Sequence, residues 1–142
     1  MKKMALFRKV LHLRTQEEGE IIDLTSEIEH AMQESSLRSG LACAFVPHST
    51  AAIFAIEFEP GLKKDIREAL QRLIPKGIDY EHHKTWNDGN GHSHVRSSFL
   101  GSSMTVPFHE GVLDLGTWQQ VVLMELDIGG RDRTVVIQLV GE

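Results

Sequence analysis

The sequence predicts an α+β fold with a mainly antiparallel β-sheet or sandwich and two to three helices. Strand-like apolar runs open and close the chain, two inner segments carry apolar residues at helical spacing, and turn residues separate these segments. The 142 residues match one domain, which we predict to span 1–142, and a hydrophobic content of 41% is enough for a buried core.

The first third of the chain predicts a hairpin followed by a helix. Segments 6–15 and 20–24 have strand composition, and the polar residues between them would form the hairpin turn. Ser26 with Glu29 matches a capping box, and apolar residues then recur at helical spacing up to Gly40.

The middle of the chain predicts two strands and a second helix. Segments 41–46 and 51–58 are apolar and separated by 47–50, where a proline interrupts strand pairing. Helical spacing resumes after Pro60, which suits a first helical turn, and ends before Pro75.

Residues 80–93 have no hydrophobic period, so we interpret them as a functional loop. A brief helix is expected over 95–101, followed by an extended segment at 104–106. The long β-prone runs 118–126 and 134–140 flank a glycine-containing turn and predict a final hairpin.

Composition excludes several classes of protein. A formal net charge of −5, with both signs spread along the chain, argues against a nucleic-acid-binding surface. The sequence has no apolar run of the roughly 20 residues that a membrane span requires and no secretory h-region, so we expect a cytoplasmic protein that does not bind membranes. Cys43, the single cysteine, is expected to be a buried thiol.

Histidine is over-represented, with eight residues in the chain. Imidazole is a common ligand of divalent transition metals, and three ligands plus an open position are typical of catalytic sites. We therefore predict a divalent-metal site, with one member of each neighbouring histidine pair as a bystander. The candidates within one third of the chain are His48, His82, His83, His92 and His94.

Other polar residues allow two interpretations each. Ser49 and Thr50 either contact a ligand or satisfy the backbone of a turn, and Glu57 is either an edge-strand charge or a buried acid or base. Arg131 and Arg133 suit phosphate recognition but also the solvated tip of a hairpin.

Four segments together resemble the YjbQ-like family, also called UPF0047. They are PHSTAA at 47–52 with Glu57, YEH at 80–82, HVRSSFLG at 94–101 and GTWQ at 116–119. The resemblance extends over essentially the whole chain.

The resemblance implies a compact homotrimer with a metal-associated site near subunit boundaries. It selects His48, His82 and His94 as ligands, because His83 and His92 fall at variable positions. Zinc is the first choice of metal, while nickel, iron, manganese and magnesium remain alternatives.

The family has been linked to secondary thiamine phosphate synthase activity, which joins a pyrimidine pyrophosphate to a thiazole phosphate and releases pyrophosphate. The resemblance thus implies an enzyme that acts on small phosphorylated molecules. In this hypothesis Arg133 clamps a phosphate, while the role of Asp88 stays open. The other assigned residues are Ser49, Thr50 and Asn90 for substrate binding, and Glu57 and His109 for catalysis.

Two alternative functions use the same residues. A metal-activated water would make the protein a phosphate or ester hydrolase. A non-catalytic trimer that binds a small anionic ligand or a metal is the third hypothesis. Product analysis separates coupling from hydrolysis, and turnover of any kind excludes simple binding.

Overall fold

A computed structural model describes residues 2–142, which form eight strands and four helices. The strands are β1 (Ala5–Arg14), β2 (Ile21–Asp23), β3 (Gly40–Phe45), β4 (Ala51–Ile56), β5 (Ser103–His109), β6 (Val112–Leu113), β7 (Gln120–Glu125) and β8 (Asp132–Gly141). The helices are α1 (Thr25–Ser35), α2 (Pro60–Leu73), α3 (Glu81–Trp86) and α4 (Gly91–Leu100). None of these helices is long and apolar enough to cross a membrane.

The strands form two antiparallel sheets. The larger sheet has the order β1-β8-β3-β5-β6, and the smaller has the order β2-β7-β4. Inward residues of β8 such as Val135, Ile137 and Leu139 are fully buried and alternate with outward ones, as expected for a sheet with one covered face. The α+β prediction with mainly antiparallel pairing is confirmed.

Two apolar cores lie on opposite faces of the small sheet. The first fills the space between the two sheets and includes α1 residues such as Ile28 and Met32. The second lies between the small sheet and α2, where Leu70 is buried, and Leu100 of α4 packs at its margin. No layer formed by residues 2–142 covers the outer face of the large sheet, and several of its large apolar side chains are exposed.

Both predicted hairpins are wrong. Strand β1 pairs with β8, whereas β2 pairs with β7, so the polar segment after β1 carries the chain from one sheet to the other. The segment between β7 and β8 is a crossover of the same kind. Turn residues are required by a crossover as much as by a hairpin, and burial of both core faces decides the strand partners.

The helix predictions need two corrections. The segment predicted as a loop, 80–93, contains α3 and the start of α4, so there are four helices rather than two to three. Helix α3 buries none of its residues, which explains why it has no hydrophobic period. The capping box at Ser26 is not formed, because α1 starts at Thr25 and Ser26 lies inside the helix, while Asp23 Oδ1 accepts the Thr25 N–H at 2.9 Å.

Three crossovers meet at one end of the two sheets. They are 15–20 after β1, 46–50 after β3 and 126–131 after β7. The Thr15 N–H donates to the Arg131 carbonyl at 2.9 Å, and the Leu126 N–H donates to the Thr50 carbonyl at 3.0 Å. We call this region the crossover end, and it holds the buried polar side chains of Thr15, Thr50 and Asp127, with Glu125 and Arg133 in the adjoining strand ends.

Candidate functional site

An open groove of about 840 Å³ lies at the crossover end. Its walls come from the crossovers 46–50 and 126–131, from the end of β1, from the start of β8 and from the start of α4, so side chains that are far apart in sequence face the same space. Residues that line it include Arg14, His48, Ser49, Asn90, His94, Asp127, Gly129 and Arg131.

A buried ion pair forms the floor beneath the groove. Glu125 has no exposed surface and Arg133 has 3%. Arg133 Nε donates to Glu125 Oε1 at 2.8 Å, and its Nη2 donates to the second carboxylate oxygen and to both oxygens of Thr50, at 2.9 and 3.0 Å for the latter. Nε and Nη2 of the Arg133 guanidinium are therefore engaged by protein, whereas Nη1 has no acceptor among residues 2–142 and Arg133 borders the groove, so its role as a phosphate clamp stays a prediction.

Asp127 is a second buried carboxylate, with 2% exposure, but it borders the groove. Oδ2 accepts the Thr50 hydroxyl at 3.0 Å and lies 2.6 Å from Arg131 Nε in an ion pair, and Oδ1 accepts the Ile128 N–H at 2.8 Å. Burial raises the pKa of Asp127, but hydrogen bonds from Ile128, Asn90 and Thr50 and the charge of Arg131 outweigh it, so the pKa is lowered. Asp127 is ionised at neutral pH.

Two of the three predicted metal ligands are brought together. The His82 ring on α3 and the His94 ring on α4 have centroids 4.2 Å apart. His82 Nδ1 is buried without a hydrogen-bond partner and lies 3.5 Å from Asp88 Oδ1. Burial and the neighbouring His82 lower the pKa of His94, so this ring is neutral at pH 7.

Asn90 lies between the carboxylates of Asp127 and Asp88. In one orientation its amide nitrogen donates to Asp127 Oδ1 at 3.3 Å, which leaves the amide oxygen against Asp88. In the swapped orientation the nitrogen donates to the Asp88 oxygens at 2.8 and 3.1 Å. One amide group cannot donate to both carboxylates at once, so acceptor groups outnumber donors in this part of the groove. We call His82, His94, Asp88 and Asn90 the acceptor cluster.

His48, the third predicted ligand, lines the same groove but is held differently. Its Nε2 accepts the Thr134 N–H from β8 at 3.0 Å. A nitrogen that accepts a hydrogen bond carries no proton, so the neutral ring carries its proton on Nδ1 and has no lone pair left for a metal. Burial and the charge of Arg133 lower the pKa of His48, which keeps the ring neutral.

The predicted triad of His48, His82 and His94 is therefore not assembled as a ligand set. Across residues 2–142, no three His, Cys, Asp or Glu side chains are already arranged around one metal position. Binding a metal to the acceptor cluster requires rotation of its side chains. The two other histidines of this region have protein partners: His83 Nε2 accepts the Gly91 N–H at 3.0 Å, and His92 Nε2 lies 2.6 Å from Glu18 Oε1.

Glu57 and His109, the predicted catalytic residues, lie away from the groove. Glu57 is exposed after the last residue of β4, roughly 23 Å along the strand from Thr50 at 3.3 Å per residue. His109 ends β5 and contacts Ser39 at the start of β3, also opposite the crossover end. Neither side chain contacts a ligand bound in the groove of the same chain, and a catalytic role there is not supported. Trp118 of the GTWQ segment is exposed, beside the start of β7 at this far end.

Sequence reasoning missed Asp127 and Arg14, and it named Arg131 with Arg133 for phosphate recognition but selected Arg133. Asp127 follows the buried strand β7 directly, and a carboxylate next to an apolar run that ends in glycines was a usable signal. Ser49 faces the groove as predicted, whereas Thr50 is buried and donates its hydroxyl to Asp127. Asn90 is buried at the edge of the groove.

Sequence comparisons place the chain among proteins of one family. A family model described as UPF0047 protein YjbQ-like matches residues 9–142. A UPF0047 protein of Methanothermobacter thermautotrophicus is 39% identical over 139 residues, which cover 98% of this chain and 95% of that protein. YugU of Bacillus subtilis is 37% identical, with 94% of this chain and 98% of the relative covered.

Solved structures show the same architecture. A YbjQ-like protein of unknown function from Sulfolobus solfataricus superposes with a TM-score of 0.92 at 33% identity, covering 99% of this chain and 100% of that one. A YjbQ/UPF0047 protein from Clostridium acetobutylicum gives a TM-score of 0.83 at 35% identity, covering 92% and 98%. The family model matches residues 9–142, and the relatives are up to 39% identical over nearly the whole chain. The chain therefore belongs to the YjbQ-like UPF0047 family.

Proposed function

We propose that the groove binds a divalent metal ion and that the protein is an enzyme acting on small phosphorylated molecules. The acceptor cluster is the observation that carries this proposal. It places the unpartnered Nδ1 of His82, the ring of His94 and the Asp88 carboxylate close together, beside an Asn90 amide that donates to only one of its two neighbouring carboxylates. A cation is the group that such an excess of acceptors favours.

The donor set fits a divalent transition metal. His82 and His94 supply imidazole nitrogen, and Asp88 with the Asn90 oxygen supplies oxygen ligands, a mixture that zinc, iron, nickel and manganese accept. Zinc stays the first choice. Bound there, the ion would neutralise charge that develops on a phosphate or pyrophosphate group.

The residues of the chain itself position the reacting groups. Asp127 holds Asn90 on one side and Arg131 on the other, while the buried pair of Glu125 and Arg133 fixes Thr50 behind them. Because Asp127, Thr50, Glu125 and Arg133 are hydrogen-bonded and buried, this part of the groove is preorganised, whereas Arg131 is 56% exposed and is held by its ion pair with Asp127. The reaction we propose is formation of thiamine phosphate from a pyrimidine pyrophosphate and a thiazole phosphate.

Elemental analysis of untagged protein is the direct test. We expect about one metal ion per chain, lost in a His82→Asn/His94→Asn double variant and retained in a His30→Gln control, which changes an exposed histidine of α1. Equal metal content in all three proteins would show that His82 and His94 are not the metal ligands. With the retained metal, a coupled thiazolium product supports the synthase, whereas inorganic phosphate without coupling supports the hydrolase.

We also propose that the chain forms a homotrimer through the outer face of the large sheet. Leu6, Val10, Leu41, Phe45 and Val140 project from this face with exposures between 39 and 64%. A contiguous apolar surface on a single sheet face is typical of a contact between protein chains. Pro47 borders both this face and the groove, which supports a groove near a subunit boundary. The number three comes from the family resemblance, and a cytoplasmic location stays a prediction.

A further inference from the structure

Besides the guanidinium of Arg14 and the Nη1 of Arg133, three donor groups on the walls of the groove have no protein acceptor among residues 2–142. They are the Nδ1–H of His48, the hydroxyl of Ser49 and the terminal nitrogens of Arg131. The Nδ1 proton follows from the Nε2 contact with Thr134, because the neutral ring carries a proton on only one nitrogen. This wall of the groove therefore presents donors, whereas the acceptor cluster presents acceptors.

Arg131 is held in place by its own crossover. Its N–H donates to Thr15 Oγ1 at 2.8 Å, its carbonyl accepts the Thr15 N–H at 2.9 Å, and its Nε lies 2.6 Å from Asp127 Oδ2. The guanidinium contacts Asp127 through Nε, which leaves both terminal nitrogens free. The side chain is 56% exposed, so these nitrogens are accessible to a ligand. A fixed planar fork with two free nitrogens is suited to an oxyanion.

We propose that His48, Ser49 and Arg131 form a phosphate-binding subsite adjacent to the acceptor cluster. The inference deepens the proposed function, because it assigns the phosphate of that substrate to named donors. Donors that come from two different crossovers suit the tetrahedral oxygens of a phosphate better than the two coplanar oxygens of a carboxylate. The substrate class is a small molecule that ends in a phosphate monoester or a diphosphate.

Asp127 connects this subsite to the acceptor cluster. One carboxylate oxygen contacts Arg131 and the other contacts Asn90, so the guanidinium and the cluster are separated by a single side chain. One phosphate group can therefore contact Arg131 and a metal held by the cluster at the same time. Arg133, the residue that sequence reasoning selected, acts beneath them by orienting Thr50 and Glu125.

Calorimetric titration of inorganic phosphate into chelator-treated protein tests the subsite without the metal. His48→Gln is the most selective variant, since the glutamine Oε1 can replace Nε2 as the acceptor for Thr134 while the Nδ1 donor is lost. Arg131→Gln removes the fork. Arg72→Gln makes the same change of charge at an exposed position of α2. We expect phosphate to bind about tenfold more weakly to His48→Gln and to Arg131→Gln, because each loses a hydrogen bond to a charged ligand.

The outcomes separate this subsite from the proposed metal site. Weaker phosphate binding in both groove variants, with wild-type affinity in Arg72→Gln and wild-type metal content in all, supports the subsite. Unchanged phosphate affinity in His48→Gln and Arg131→Gln, or no measurable binding to the wild type, overturns it whatever the metal content. Loss of metal in His48→Gln would also overturn it, because His48 would then be a ligand. Absence of metal from the wild type contradicts the proposed function alone.

Discussion

Replacing Arg133 with methionine is expected to lower the free energy of unfolding by about 3–5 kcal/mol, since a buried carboxylate then loses its charge partner. Glu125 has no exposed surface, and only the Thr15 hydroxyl and the Asp127 N–H would remain as its donors. Thr50 would lose two further hydrogen bonds. At about 3 °C per kcal/mol for a chain of this size, Tm should fall by about 9–15 °C.

Urea unfolding followed by circular dichroism at pH 7.5 and one fixed protein concentration measures the effect. Arg14→Met is the matched control, because Arg14 is exposed and its partner Asp132 lies at 3.5 Å and is almost fully exposed. The control should cost less than about 0.5 kcal/mol. Adding Glu125→Leu to Arg133→Met should recover most of the lost stability, because no buried charge then remains unpaired.

A cost of less than about 1 kcal/mol for Arg133→Met would contradict this expectation, because Glu125 would then be solvated or protonated at little cost. A double variant less stable than Arg133→Met alone would also contradict it. In that case the hydrogen bonds of Glu125 to Thr15 and Asp127, rather than its pairing with Arg133, would be its main contribution.

Three further perturbations test other parts of the fold. Burial raises the pKa of Glu18, but hydrogen bonds from Lys76 and His92 outweigh it and lower the pKa. The contribution of Glu18 to stability is therefore lost as the pH falls below 4.5, the ordinary pKa of the group. Glu18→Gln should make the free energy of unfolding less dependent on pH in this range, as measured in acid titrations. Leu41→Lys should reduce the mass measured by light scattering to that of one chain, and an unchanged mass would remove the outer sheet face as the contact. Gly130→Ala should lower Tm much more than Gly129→Ala, because a Cβ at 130 would lie 2.3 Å from a backbone oxygen whereas one at 129 meets nothing within 4 Å; equal Tm values would contradict that close approach.

Local patterns in the sequence were enough for most of the elements. Helix α2 runs from Pro60 to Leu73 as its apolar spacing and flanking prolines predict, with Glu59 accepting the first backbone N–H groups. Strands β3 and β4 were found because their apolar runs are bounded by Pro47 and the polar residues after it. These features depend on neighbours in the sequence, which a single chain displays.

Strand partners depended on information that local patterns do not contain. A polar turn after β1 is compatible with a hairpin and with a crossover, and only the burial of two cores selects the crossover. The same limit applies to the site. His82 and His94 lie beside each other as expected, but the N–H that donates to His48 Nε2 belongs to Thr134, which is 86 residues away in the sequence. The distance of Glu57 from the groove likewise follows from the direction of β4 and not from its composition.

The three crossovers also restrict how this chain can change in length. Each must span the same gap between two sheets, about 10 Å for sheets packed face to face. Hydrogen bonds join the crossover 126–131 to each of the other two. An inserted residue in 46–50 or 126–131 would displace the donors of the groove and the spacing of the sheets together. Insertions and deletions should therefore be tolerated at the far end, as in the turn at 110–111, and rejected at the crossovers. A library of single-residue insertions, sorted for folded protein, would display this asymmetry directly along the chain.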